Sequence, residues 1–326
     1  MTCPLLGELP PAHELDAAIR SKTQRSLAYV FRQAAGYLDL TSEAAEAMLS
    51  NIGRNRQHPG VYARYFELIF AINQNRFGDA NRLLAEIAEF SGQPQEFQIV
   101  AYERELLGED FERYPRILFA ESPEVGLLVS PTATESARAH DNMTLALETI
   151  RRVDPSIYDE IINLFVHVFV TKDDKEGTGA SFGGVTSLMV WGATFANIKA
   201  YKERWEAVQF LVHEVTHALL FGLSSDGPLV LNPASENYSS PLRTQLRPMD
   251  GIYHATIVCA RLTDFNRKWI ASGTLPAEDR DNVERETEKM MRGFSDGMSV
   301  IDEHGILSPM GRELAERCRG GLAVAA

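Results

Sequence analysis

Lys202 to Leu223 reads KERWEAVQFLVHEVTHALLFGL. Charged residues gather at its start, the middle is apolar, and a glycine stands near its end, a pattern that predicts one long helix over 202–222. Within it His213, Glu214 and His217 form an HExxH motif. Residues four apart on a helix share a face about one turn apart, so the two imidazoles project to the same side. There they can share one divalent ion at about 2.0–2.1 Å. Trp205, Val208, Leu211 and Val212 supply the apolar side that clamps the backbone and orients those rings. The plainer alternative is two ordinary histidines on a packed helix.

Outward from this stretch, IINLFVHVFVT (161–171) and VTSLMVWGAT (185–194) are rich in β-branched and aromatic residues and predict two buried strands. The polar, Gly-rich KDDKEGTGASFGG between them reads as a loop. His167 falls in the first strand and reads as a packed, hydrogen-bonded core histidine. A helix is expected over 134–152 with Leu145, Leu147 and Ile150 facing inward. Residues 223–250, rich in Ser, Pro, Asn and Gly, read as irregular, with helices resuming over 251–272, 276–294 and near 308–319. The acidic AEDRDNVERETEK reads as a solvated helix face.

The first 125 or so residues read as helical. Leu15, Ile19, Leu27, Val30 and Phe31 form a helical stripe, Thr41 resembles an N-cap, and His58-Pro59-Gly60 is a break. A helix pair over 61–74 and 78–91 follows, then a further helix over 95–107. Pro115, Pro123 and Pro131 punctuate a less regular stretch that is the best boundary. The expected class is therefore α+β and mainly helical. Residues 1–125 form a helical N-terminal region, and residues 126–326 form a metal-binding catalytic domain with a small sheet packed against the HExxH helix.

Lys plus Arg number 32 against 45 Asp plus Glu, a formal charge of −13. Long-range repulsion then opposes broad binding to nucleic-acid backbones or anionic membranes. Cys3, Cys259 and Cys318 include no CxxC pair, which disfavours a thiolate zinc site and fits a reducing cytoplasm. The N-terminus has no signal-peptide pattern, and FVHVFV and SLMVWGA fall far short of the roughly 20 apolar residues of a bilayer span. No GxGxxG after a strand, GxxxxGK[ST] or GxSxG is present. The chain is expected to be cytoplasmic, with function resting on a local site.

Two ligands hold a catalytic ion poorly, and a third is needed. His254 opens an apolar helix in GIYHATIVCARL, 37 positions after His217. Glu236, 19 positions after His217, and Asp250 are the rivals. Arg243 and Arg247, in SSPLRTQLRPMDG, flank the return of the chain toward the motif. A guanidinium is a natural fork for a carboxylate, which suggests a carboxylate-bearing cosubstrate or a peptide carboxylate. Either one alone also reads as a surface arginine of an acidic protein.

HEVTHALLFGL followed by YSSPLRTQLRPMDGIYHATIVCARLTDF resembles the HExxH-motif family found among peptide-modification genes, including the C-terminal domain fused to some radical-SAM peptide-modifying proteins. The matching residues are His213 through His217, Tyr238, Pro241 with Arg243, Arg247 with Pro248, Gly251 and His254, and the likeness covers about residues 185–268. Leu242 stands where the pattern has Trp. The resemblance implies an iron(II)- and 2-oxoglutarate-dependent β-hydroxylase of ribosomally synthesised precursor peptides. His213, His217 and His254 would hold the iron, and Arg247, with Arg243 nearby, would take the distal carboxylate of 2-oxoglutarate. Glu214 would become an orienting group. Non-haem iron oxygenases usually use two histidines and one carboxylate, which keeps Glu236 and Asp250 in contention.

HExxH alone points instead to a zinc metallopeptidase, with Glu214 as general base and His254 or Glu236 completing the site. By analogy with such enzymes, the 185–194 strand offers an edge to which an extended peptide can add. A third reading is a non-catalytic peptide-binding scaffold that recruits a partner through its N-terminal helices.

Overall fold

The computed structural model describes residues 5–6, 9–34, 36–121, 127–174, 182–240 and 245–324. Four helices lead the chain: α1 (Ala12–Ala34), α2 (Ser42–Arg54), α3 (Pro59–Asn73) and α4 (Phe77–Phe90). Next come β1 (Gln98–Ala101), α5 (Arg104–Leu107), α6 (Asp110–Glu121), β2 (Leu128–Val129), α7 (Ala133–Val153) and α8 (Pro155–Leu164). Then follow β3 (His167–Asp173), β4 (Gly184–Thr186), β5 (Ala193–Asn197) and α9 (Arg204–Leu223), the HExxH helix. The chain finishes with β6 (Asn237–Tyr238), β7 (Arg247–Pro248), α10 (Met249–Ala271), α11 (Arg280–His304) and α12 (Pro309–Val324). The fold is thus mainly helical α+β with a small mixed sheet, the class that the residue patterns predict.

The sheet runs β1-β3-β5-β4, with β2 pairing the far end of β3. β1, β3 and β5 are mutually parallel, and β4 is the antiparallel edge strand, with Thr186 opposite Thr194. Both faces of β3 are covered, so its sequence is almost continuously apolar. Val168 faces a large core shared with α7, α8, α9 and α10, where Phe210, Phe265 and Trp269 are fully buried. Phe169 faces the other way, stacking on Phe195 at 5.1 Å beside Tyr102 and Tyr114. A third cluster joins α1 to α4. Leu15, Ile19 and Tyr62 belong to the large core, and the Trp191 indole donates to Asp16 at 3.0 Å. The first 125 residues therefore lend α1 and β1 to the body that holds the motif.

Several elements depart from the sequence expectations for identifiable reasons. The helix expected over 95–107 is strand β1 followed by the short α5, because Ile99 and Val100 pair in parallel with β3. Pro115 lies inside helix α6 instead of ending it. Proline has no N–H to give the carbonyl four residues back, and the Tyr102 hydroxyl donates to that carbonyl, Phe111, at 2.5 Å. Residues 161–164 finish α8, so the strand starts only at His167. The 185–194 stretch is two strands, β4 and β5, joined by a short 3-10 turn at Leu188–Val190 and by Gly192 at φ 87°, a left-handed conformation that suits glycine. Leu145 is 41% exposed, since the buried stripe of α7 runs through Met143, Ala146, Leu147 and Ile150. The last two helices run longer than expected, over 280–304 and 309–324, and the irregular 223–250 stretch contains the β6–β7 pair.

His167 is buried as expected, but its Nδ1 has no hydrogen-bond partner among the described residues. Burial pushes the imidazole down to about 3, with His58 and Arg56 adding to the effect. The unfolded chain binds this proton near pH 6.5, so folding stability is fully present above that value and is lost as the pH falls toward 3. The loss approaches ~1.4 kcal/mol per pH unit over that window. His167→Phe should flatten this acid limb, as urea unfolding at about pH 7 and about pH 4.5 would show.

Candidate functional site

The site is built on α9. Glu206 accepts the backbone N–H of Glu203 at 2.9 Å, and the Glu203 side chain accepts the N–H of Glu206, which closes the helix start. Val208, Leu211, Val212, Val215 and Leu219 are fully buried, so the helix cannot roll. His213 and His217 occupy its half-buried face.

Their Nε2 atoms lie 3.2 Å apart. Two donors on a tetrahedral ion at about 2.0–2.1 Å are separated by about 3.3 Å, so this pair fits a shared cation. His254, in the second turn of α10, packs against the other edge of His217, with Nδ1 to Nδ1 at 3.2 Å. Phe221 covers its ring at 5.1 Å. The three imidazoles form a row, each touching the next, and do not point three nitrogens at one place. Among the described residues, no three His, Cys, Asp or Glu side chains are arranged as a metal shell.

A neutral imidazole has one N–H and one bare nitrogen. When both facing Nε2 atoms are bare, as a shared ion requires, the His217 N–H sits on Nδ1 and donates to His254. In that state His254 fixes the ring orientation of His217. Burial, the flanking His213 and His254, and the Arg247 charge hold the His217 imidazole well below the ordinary histidine range. Burial also lowers His254, with Asp250 pulling the other way. Both rings are therefore neutral at pH 7, the form that ligates metal.

Glu214 points from α9 into the sheet edge and is 2% exposed. Its Oε2 accepts from the Thr186 hydroxyl at 2.8 Å, and Thr186 in turn hydrogen-bonds Thr194 at 2.9 Å. A Cβ added at Gly184 would lie 2.6 Å from Glu214 Oε1 and 2.5 Å from the Phe210 ring, so only glycine lets β4 approach this closely. Glu214 Oε1 is 4.0 Å from His213 Nε2. Burial pushes the carboxyl up to about 7, with the Thr186 hydrogen bond acting against it.

Arg247 lies in β7 opposite Tyr238 of β6, near enough for its charge to act on His217. Arg243, together with Pro241 and Leu242, lies outside the described residues. Glu236 is exposed and accepts from the Tyr238 hydroxyl at 2.5 Å, so this rival carboxylate is tied to the hairpin. Asp250 is largely exposed, with Oδ1 3.9 Å from His254 Nε2. The Tyr238 ring stacks on His304 at 5.0 Å, and Asn232 donates to the His304 carbonyl and accepts from the Ile306 N–H.

Sequence reading missed Gly184, Thr186 and Thr194. Their signal is the Gly-Gly pair before VTSLMVWGAT and a threonine at each end of it, but nothing in the string says which face each occupies. A cavity of about 760 Å³ lies between the N-terminal segment, α8 and α10. Its Arg261 and Lys268 are paired with Glu160, Asp154 and Asp264. In comparisons with known proteins, no protein-family model matches this chain, and no curated protein matches it.

Proposed function

We propose that this protein is a cytoplasmic iron(II)- and 2-oxoglutarate-dependent dioxygenase that β-hydroxylates a residue of a ribosomally synthesised precursor peptide. The observation that carries the reading is geometric: the His213 and His217 Nε2 atoms face each other at 3.2 Å, the spacing of two donors on one ion, and Arg247 is carried by the β7 strand that leads into the helix of His254. His213 and His217 would hold the iron through their facing Nε2 atoms, and His254, which meets His217 at Nδ1, would orient that ring instead of supplying the third donor expected of it. Iron with 2-oxoglutarate, if bound there, would supply the oxidising power for the hydroxylation, with O₂ and 2-oxoglutarate consumed and succinate, CO₂ and the hydroxylated peptide as products.

The chain's own residues do the positioning. Arg247 would supply the positive charge that faces the distal carboxylate of the cosubstrate. The edge strand β4, beside Glu214, offers backbone groups to an extended peptide, which aligns a substrate with little demand on its side chains. Glu214, buried and held by Thr186, suits an orienting role.

A zinc metallopeptidase is the second reading, favoured by one observation: the Glu214 carboxyl near 7 and 4.0 Å from His213 Nε2 has the poise of a general base. Anaerobic reconstitution with iron, followed by 2-oxoglutarate, O₂ and a neighbouring precursor peptide, separates the two. The dioxygenase releases succinate and leaves a peptide heavier by one oxygen. Cleavage with zinc and no succinate under any peptide would replace it with the peptidase. Glu214→Gln sharpens the contrast. Peptidase turnover should collapse with its base gone, by up to about 10⁴-fold, whereas a hydroxylase should keep its iron and partial turnover, losing no more than about 10–100-fold.

A further inference from the structure

We propose that Thr186 is a positioning residue of the histidine pair: its hydroxyl anchors Glu214 to the sheet edge and keeps that carboxylate from capturing the Nε2–H of His213. The inference rests on the reading of α9 as a metal helix, whichever reaction the metal serves.

A buried carboxylate must find hydrogen-bond donors. Glu214 takes one from Thr186 at 2.8 Å. His213 Nε2, at 4.0 Å from Oε1, is beyond hydrogen-bond range yet within reach of a small side-chain shift. The strand is built to hold the carboxylate short of that shift. Gly184 and Thr186, two residues apart, share one face of β4. The first leaves the gap in which Oε1 sits, and the second binds Oε2. Thr194, fully buried and opposite Thr186 in the ladder, holds the Thr186 hydroxyl in turn at 2.9 Å.

Without the Thr186 hydroxyl, a replacement donor is an imidazole N–H on His213. Closing that contact places the proton on Nε2, the nitrogen that faces His217 at 3.2 Å. A ligating nitrogen must be unprotonated. Every metal ion that bound would then have to break a buried imidazole–carboxylate hydrogen bond. Losing an orienting partner of this kind costs about 10–100-fold in metal affinity.

The test compares Thr186→Val, which keeps the shape and a strong strand former but removes the hydroxyl, with Thr186→Ser, which keeps the hydroxyl. Co(II) and Zn(II) affinities are measured by chelator competition on the full chain. Nitrogen NMR reads the His213 tautomer in metal-free protein, and thermal melting monitors the fold. The expected result is a metal affinity about 10–100-fold weaker for Thr186→Val, a value within about 3-fold of the parent for Thr186→Ser, and His213 moved to the Nε2–H form only in the former. Thr186→Ala serves in its place if the valine protein does not fold. Unchanged affinity without the hydroxyl, or equal losses in the valine and serine variants, overturns the proposal. A parent protein that binds neither cation overturns the metal reading itself and the proposal with it.

Discussion

His217→Ala is expected to lower metal affinity by more than about 100-fold and to end metal-dependent turnover. His217 is the middle ring of the row: Nε2 meets His213 and Nδ1 meets His254, each at 3.2 Å. Removing it deletes a donor and also the contact through which His254 acts. His213→Ala deletes a donor but leaves the His217–His254 contact standing, so its metal-free protein should melt closer to the parent than that of His217→Ala. Chelator competition and thermal melting on the same samples check both statements. A His217→Ala protein that keeps metal at parental affinity would remove the basis for a cation site on this helix.

Asp110→Asn is expected to cost about 3–5 kcal/mol of folding stability, the range for breaking a buried charge cluster by removing one partner. Asp110 Oδ1 accepts from Arg64 Nη1 and Arg113 Nη1, both at 2.6 Å, and these three side chains are only 2–4% exposed. Glu86 accepts from both arginines at 2.8 Å, and Glu67 accepts from Arg113 at 2.9 Å. The network ties α3, α4 and α6 together. A Cβ at Gly60 would lie 2.3 Å from Asp110, so α3 is glycine where the carboxylate enters. With an amide there, two guanidiniums face each other across one neutral group. Urea unfolding measures the loss, and a drop below about 1 kcal/mol would show that Glu86 and Glu67 suffice on their own.

Helix α9 was legible because twenty residues of dense apolar periodicity outweigh local detail, and the spacing of four inside it fixes His213 and His217 on one face. Helix α10 was legible for the same reason. The edge at which His254 meets His217 was not, because spacing along a chain does not encode the rotation of a ring about its χ angles. Strand β1 was hidden because four residues, QIVA, take strand form only when β3 lies alongside. Pro115 misled because its compensation, the Tyr102 hydroxyl, comes from another element. The clamp on Glu214 depends on strand register and on a helix crossing beneath it, both of which are long-range properties. Of the two arginines, Arg247 falls in β7, directly before the helix of His254, while Arg243 falls outside the described residues.

The hairpin that carries Arg247 leans on the far end of the chain. Tyr238 rests on His304, and Asn232 bridges the turn that joins α11 to α12. A fragment trimmed to 185–268 would keep every motif residue. It would still lack the buttress behind the arginine and the central strand β3 behind the carboxylate clamp. The motif stretch is therefore not a portable cassette, and gene dissection or fusion should carry the whole chain.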